Sequence, residues 1–127
     1  MWLDPAATKG GVHPYLFSQS QAIHARSLFP CMDSPGIKCT YSATVRVPAW
    51  CTVLMSALSS DESKNKEAVA VAVGVAPTAN GSNRVFCFTQ PVPVSVYLIA
   101  IAAGELDSRE ISHRVRVWAE PSVVAGT

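Results

Sequence analysis

The sequence predicts a single all-β domain, an antiparallel β-sandwich or an open curved sheet. Several short segments alternate apolar and polar residues with the period of two that a half-buried strand requires. No segment shows the sustained period of 3.6 that an amphipathic helix requires. Turn-forming residues separate the segments at short intervals, which is typical of sandwiches and barrels. The length of 127 residues is that of one domain.

The first predicted strands lie on either side of Pro48. Residues 39–47 (CTYSATVRV) place tyrosine, alanine and valine side chains on one face and serine, threonine and arginine side chains on the other. After Pro48, residues 51–58 (CTVLMSAL) form a second apolar run. We expect this run to return antiparallel beside the first strand.

Residues 59–83 predict a loop and one arm of a hairpin. Residues 59–67 (SSDESKNKE) are polar and charged without an apolar period, which indicates a solvated loop. Residues 68–75 (AVAVAVGV) alternate strictly and suit an edge strand. The Asn80-Gly81 dipeptide favours a tight hairpin turn, and this turn would pair the arm with residues 84–90 (RVFCFTQ).

The C-terminal third predicts two more strands. Pro91 and Pro93 lack a backbone N–H, so residues 90–95 are not expected in the centre of a sheet. Residues 97–103 (YLIAIAA) are apolar on both faces and are expected to lie buried between layers. Residues 111–119 (ISHRVRVWA) alternate again and are expected to form the last strand.

Charge and hydropathy argue against two classes of partner. Ten lysines and arginines against nine acidic residues give a net charge of +1, too low for an electrostatic attraction to nucleic acid. The longest apolar run, residues 92–104, has 13 residues, whereas a membrane-spanning helix needs about 20. The first residues lack the basic-then-apolar order of a secretory signal peptide. We therefore expect a cytoplasmic protein with neither nucleic acid nor membrane as a partner.

The cysteines and histidines show no metal-binding spacing. The cysteines are separated by 8, 12 and 36 residues, and the sequence has neither a CxxC pair nor an HExxH motif. We expect no metal site and no catalytic residue in this chain. In a cytosolic protein the thiols should be reduced, small and buried. The cysteines are Cys31, Cys39, Cys51 and Cys87.

Residues 18–35 (SQSQAIHARSLFPCMDSP) concentrate polar side chains among apolar ones. Gln19 and Gln21 are two apart, so on an extended chain their carboxamides point the same way. A neutral carboxamide can accept a hydrogen bond from a substrate ammonium without burying a second charge. The alternative, that the two amides and His24 satisfy backbone groups at a corner, stays open on the chemistry alone.

The second half of this segment predicts a rigid corner. Arg26 and Asp33 bracket Phe-Pro-Cys, so a turn there would bring the guanidinium and the carboxylate together in a bidentate ion pair. Pro30 and Pro35 fix two backbone angles and disfavour regular strand pairing. The loop should therefore be a stiff platform for a site.

Four stretches, in order, resemble the amino-terminal domain of the zinc aminopeptidases of the aminopeptidase N family. They are HPYLFSQSQAIHARSLFPCMDSPGIKCTYSATVRVP (13–48), LMSA (54–57), YLIAIAAGEL (97–106) and RVRVWAEP (114–121). The branch they resemble most holds aminopeptidase B, its arginyl-aminopeptidase-like relative and the bifunctional leukotriene hydrolase.

The resemblance implies that residues 1–121 form part of an antiparallel β-saddle, without its first strands. Residues 59–83 would then be an inserted hairpin and residues 122–127 a tail. In the full-length family a separate catalytic domain carries the zinc cofactor, so this chain alone is expected to hold no cofactor and to be inactive. Its partners would be peptide N-termini and that catalytic domain.

The resemblance also implies roles for single residues. Gln21 matches a glutamine that helps to hold the free amino end of the peptide, and Gln19, Ser20 and Ala22 match its neighbours at the substrate pocket. The positions that match the structural signature of the family are Arg26, Pro30, Cys31, Asp33, Pro35 and Lys38.

Together these observations favour a fragment or short isoform of a zinc aminopeptidase, an enzyme family that removes N-terminal residues from peptides. The chain would supply scaffold and an amine-binding glutamine. A free-standing β-sandwich that binds or regulates a partner is the alternative, and a cysteine-dependent redox protein has the least support.

Overall fold

The computed structural model describes residues 1–60 and 83–126, and antiparallel strands make up nearly half of them. The strands are β1 (Trp2–Leu3), β2 (Tyr15–Phe17), β3 (Lys38–Pro48), β4 (Thr52–Met55), β5 (Leu58–Ser60), β6 (Asn83–Ser95), β7 (Ile101–Gly104), β8 (Asp107–Ser112) and β9 (Val115–Ala119). A short helix α1 (Pro121–Val124) follows β9, and 3-10 turns span Pro5–Ala7, Ala25–Ser27 and Val96–Leu98. The predicted all-β class is confirmed.

Two sheets enclose the core, and a hairpin stands beside them. The first sheet has the order β1-β2-β7-β4 and the second the order β3-β6-β5, while β8 and β9 pair with each other. All the pairings are antiparallel. The buried side chains of the core come from both sheets and from the residue before β4; they are Cys51, Val53, Phe86, Phe88 and Ala103.

Strand β3 has the alternation that its sequence predicts. Every second side chain from Cys39 to Val47 is partly buried, and the side chains between them are exposed. The strand pairs with β6 from Lys38 opposite Ser95 to Pro48 opposite Asn83, with one irregularity between Cys39 and Tyr41. The period of two therefore identified both the strand and its inward face.

Strand β6 continues through the two prolines. Pro91 and Pro93 lie within Asn83–Ser95. The pairing with β5 ends at Thr89, so among the described strands only β3 lies beside the part of β6 that contains the prolines. A missing N–H is tolerated where a strand has one neighbour, which agrees with the expectation that residues 90–95 are not central.

Three other strand predictions are wrong in part. Residues 51–58 do not form one strand beside β3, because β4 pairs with β7 in the opposite sheet and β5 pairs with β6. The two strands are separated at Ser56. Its backbone C=O accepts from Gln90 Nε2 at 3.2 Å, and its Oγ accepts from the Ala100 N–H at 3.0 Å. Both contacts are long-range, so the local pattern does not contain them.

Residues 97–103 begin in a turn rather than in a strand. The N–H of Ile99 donates to the Val96 carbonyl at 3.1 Å and closes a 3-10 turn, and β7 starts only at Ile101. Val96 and Ile99 are both buried. Within residues 97–103, Ala103 is buried as well, whereas Leu98 is 49% exposed, so the expected burial is right only in part.

Residues 111–119 form a hairpin and not a single strand. Strand β8 ends at Ser112, and β9 begins at Val115 after a turn at His113 and Arg114. The alternation is the same in both arms of a tight hairpin, so it does not reveal the reversal. The side chains from Ile111 to Trp118 are all exposed, so neither face of this part of the hairpin is buried.

The expected loop after Ser60, the alanine-valine strand at 68–75 and the Asn80-Gly81 turn lie outside the described residues. Among the residues that are described, no helix combines the length and the apolar character needed to cross a membrane.

Candidate functional site

The candidate site is the loop of residues 18–37, called here the site loop, which joins β2 to β3. Its first residue is held against β7. The Ser18 N–H donates to the Ile101 carbonyl at 2.9 Å, and the Ile101 N–H donates to Ser18 Oγ at 3.0 Å. The loop therefore leaves the first sheet from a fixed point.

Two buried residues anchor the first half of the site loop. Ser20 is 3% exposed and Ala25 is fully buried. The His24 N–H donates to the Ser20 carbonyl at 2.9 Å, and the Ala25 carbonyl accepts from the Leu28 and Phe29 N–H groups at 2.9 and 3.1 Å. These hydrogen bonds fold the backbone of the loop into turns, and residues 21–24 between the two buried residues are exposed.

The two glutamines are brought together, but by a contact between side chain and backbone. Gln19 Oε1 accepts a hydrogen bond from the Gln21 N–H at 2.9 Å. Both glutamines and Ala22 are exposed, and the Gln21–Ala22 peptide bond is cis. The Gln21 carboxamide makes no hydrogen bond to any residue within 1–60 or 83–126, so its acceptor oxygen is available to a ligand.

Arg26 and Asp33 form the Arg26–Asp33 clamp, which closes the second half of the site loop. Asp33 Oδ2 accepts from the Arg26 backbone N–H and from Arg26 Nε, both at 3.1 Å, and Arg26 Nη2 donates to the Asp33 carbonyl at 3.4 Å. The Asp33 side chain is 3% exposed and the Arg26 side chain 60%. The two residues form an ion pair as expected, although through one carboxylate oxygen rather than in the bidentate geometry.

The other positions that match the family signature lie within the clamp, at Pro30 and Cys31, or after it, at Pro35 and Lys38. The Pro35 carbonyl accepts from Ser95 Oγ at 2.6 Å and ties the loop to β6. Pro30 and Lys38 are exposed. Desolvation raises the pKa of the Cys31 thiol, and the negative charge of Asp33 raises it further. Because the thiolate is the nucleophilic form, this shift makes Cys31 less reactive than an ordinary cysteine.

The thiols are free, but they differ in burial. Cys51 is buried, whereas Cys31, Cys39 and Cys87 are half-buried. The expectation of buried thiols is therefore right for Cys51 and too strong for the others. Within the described part of the chain, no three histidine, cysteine or acidic side chains lie together in a group that could hold a metal ion.

A second polar cluster was not indicated by the sequence. The Glu120 carboxylate accepts from the backbone N–H groups of Lys9 at 3.0 Å and Gly10 at 2.5 Å. The His13 ring stacks on Trp50 with 4.1 Å between centroids, and its Nε2 lies 4.0 Å from Glu105 Oε2. These contacts join distant parts of the chain, and no local motif announces them.

Comparison with known families and proteins gives consistent matches. The sequence profile of the Peptidase M1 N-terminal domain matches residues 6–98. Over 123 residues, 97% of this chain, the sequence is 37% identical to leukotriene A-4 hydrolase of Xenopus laevis and 40% identical to aminopeptidase RNPEPL1 of Homo sapiens. Aminopeptidase B of Rattus norvegicus is 40% identical over the same length.

The fold agrees with a solved structure. Native leukotriene A4 hydrolase from Saccharomyces cerevisiae superposes with a TM-score of 0.73 at 38% identity, over 95% of this chain and 16% of that one. The chain spans 15 to 18% of the length of the three curated relatives.

Proposed function

The chain belongs to the Peptidase M1 N-terminal domain family, and on this premise we propose that it contributes the substrate-amine site of a zinc aminopeptidase. In this proposal Gln21 accepts a hydrogen bond from the free amino end of a peptide. The observation that carries the proposal is the Gln21 carboxamide, exposed on a loop with a fixed backbone and without a hydrogen-bond partner among the described residues.

The chemistry of a carboxamide suits a peptide amino terminus. The carbonyl oxygen of glutamine accepts hydrogen bonds, and an ammonium group only donates them. A hydrogen bond to a charged group contributes about 1.5–3 kcal/mol. Because Gln21 is neutral, it orients the ammonium without bringing a second charge that must be desolvated.

The surroundings of Gln21 support a positioning scaffold. Within this proposal, Gln19, Ser20 and Ala22 shape the pocket around Gln21. The clamp residues and their signature neighbours keep the loop in one conformation; these are Arg26, Pro30, Cys31, Asp33, Pro35 and Lys38. A buried carboxylate with two donors holds a corner more firmly than an exposed ion pair does.

The metal and the bond-breaking groups belong, in this proposal, to another part of a longer protein. The described residues assemble no metal site, so no catalytic step is assigned to them. When bound, a zinc ion in such an enzyme polarises the scissile carbonyl and activates water. Residues 1–121 of this chain then act as a domain that packs on the part that holds the zinc.

A chimera tests the proposal. The matching 123-residue stretch of Xenopus laevis leukotriene A-4 hydrolase is replaced by this chain, and kcat/KM is measured with an aminoacyl-arylamide. We expect an active chimera in which Gln21→Leu lowers kcat/KM by about 10- to 100-fold, the worth of one hydrogen bond to a charge. Ile23→Ala, an exposed neighbour, is the control and should change kcat/KM less than twofold.

Two results would count against the proposal. An active chimera whose kcat/KM is unchanged by Gln21→Leu would remove Gln21 from the substrate site. Chelator-sensitive turnover by the purified 127-residue chain alone would show that the chain itself carries the catalytic groups.

A further inference from the structure

The Gln19 carboxamide is directed at the chain rather than outward. Its Oε1 lies 2.9 Å from the backbone nitrogen of Gln21 and accepts that N–H. The contact spans one residue, Ser20, which is 3% exposed and therefore fixed in place. Gln19 thus closes a small hydrogen-bonded ring with Gln21, the residue that is proposed to bind the substrate amine.

We propose that Gln19 is a positioning residue, which orients Gln21 by holding its backbone N–H and does not itself bind the substrate amine. This inference rests on the proposed function, and it separates the roles of the two glutamines. Without this contact, none of the described residues would accept from the Gln21 N–H, which would then bind only water. The direction in which the Gln21 side chain leaves the backbone would then be set by one side of the loop alone.

The backbone around Gln21 is held from two directions. On the N-terminal side Gln19 Oε1 binds the Gln21 N–H. On the other side the Ser20 carbonyl accepts from the His24 N–H at 2.9 Å, which closes the turn over residues 20–24. Preorganisation of this kind increases affinity because less conformational freedom is lost on binding.

If Gln19 positions Gln21, substitutions at position 19 should have other effects than if Gln19 bound the substrate amine directly. Gln19 Oε1 is used in a contact within the loop, to the Gln21 N–H, whereas the Gln21 carboxamide has no such contact among the described residues. A carboxylate at position 19 offers the same acceptor at the same reach, so Gln19→Glu should preserve the contact. Gln19→Leu has a similar size and no acceptor, and Gln19→Asn is one methylene shorter.

Amide hydrogen exchange in the isotopically labelled chain tests this without a substrate. We expect Gln19→Leu and Gln19→Asn to speed exchange of the Gln21 N–H by about three- to tenfold, the protection that one exposed hydrogen bond confers. Gln19→Glu should restore the slow exchange. The melting temperature of Gln19→Leu and Gln19→Asn should fall by only a few degrees, the shift expected for the loss of one exposed hydrogen bond. The His24 N–H is the internal control and should not change.

The proposal is overturned if Gln19→Leu and Gln19→Asn leave the exchange of the Gln21 N–H within twofold of the original, or if Gln19→Glu exchanges as fast as Gln19→Leu. Failure of the proposed function is a separate result. If Gln21→Leu has no effect on the chimera while Gln19→Leu still frees the Gln21 N–H, the contact is real but the amine site is not.

Discussion

Replacement of Asp33 by alanine should cost more stability than the loss of any exposed ion pair. The Asp33 carboxylate is 3% exposed and one of its oxygens accepts two donors of Arg26, each at 3.1 Å. Hydrogen bonds to a charged acceptor contribute about 1.5–3 kcal/mol. The Arg26 side chain is 60% exposed, so water can solvate it again and the backbone N–H accounts for most of the cost. We expect Asp33→Ala to lower the free energy of unfolding by about 2–3 kcal/mol.

Two further variants divide this cost, and a third serves as the control. Asp33→Asn keeps an acceptor oxygen and should lose about 1 kcal/mol. Arg26→Ala leaves the backbone contact intact and should lose about 0.5–1 kcal/mol. The matched control is Glu110→Ala, since Glu110 and Arg116 form a 3.4 Å pair with side chains 58% and 52% exposed; such pairs are worth less than about 1 kcal/mol.

Urea unfolding followed by circular dichroism, with linear extrapolation to water, gives the four free energies. The order predicted is Asp33→Ala, then Asp33→Asn, then Arg26→Ala, with Glu110→Ala last. The reasoning is refuted if Asp33→Ala costs no more than Glu110→Ala. It is refuted equally if Arg26→Ala costs as much as Asp33→Ala, because the backbone contact would then contribute nothing.

Three other predictions follow from packing and from thiol ionisation. A Cβ at Gly104 would lie 2.4 Å from a ring carbon of Tyr15, whereas one at Gly36 meets nothing within 4 Å; Gly104→Ala should therefore lose about 1–3 kcal/mol in urea unfolding and Gly36→Ala almost nothing, and equal losses would contradict the packing. Burial raises the pKa of the Cys51 thiol, so the folded chain holds that proton more tightly than the unfolded chain. The stabilisation that comes from this proton should be fully present below about pH 8.5, the usual pKa of a thiol, and should decrease as the pH rises further. Between pH 7 and 10 the free energy of unfolding in urea should therefore fall more steeply with pH for the original chain than for Cys51→Ala, and parallel curves would contradict this. Because the charge of Asp33 helps to raise the pKa of the neighbouring Cys31 thiol, Asp33→Asn should speed alkylation of that thiol by iodoacetamide at pH 8, as mapped by mass spectrometry, and an unchanged or slower rate would contradict the assignment.

Local periodicity predicted those parts of the fold that depend on neighbours in sequence. The alternation of residues 39–47 identified β3 because one face of that strand packs on the core and the other meets solvent. Pairing partners were harder to predict. Strand β4 joins β7, 46 or more residues away, through buried contacts that leave no mark in its own sequence. The turn inside residues 107–119 was missed because alternation does not change across a hairpin.

The site divides in the same way. The spacing of Gln19 and Gln21 and the two charges around Phe-Pro-Cys are local, and the structure brings both pairs together. The direction of the Gln19 contact, toward the backbone of Gln21, depends on the turn of the site loop and could not be predicted from an extended chain. The Glu120 contact to Lys9 and Gly10 spans 110 residues or more, beyond the reach of any local pattern.

The most direct test of the central claim is a cycle between Gln21 and the substrate amine in the active chimera. Inhibition constants are measured for leucinamide and for 4-methylpentanamide, which lacks the amine, with Gln21 and with Gln21→Leu. If Gln21 binds the amine, the preference for leucinamide should fall about tenfold or more in the variant, as expected for a lost hydrogen bond to a charge. An equal preference in both proteins would contradict the assignment of Gln21 to the amino end of the substrate.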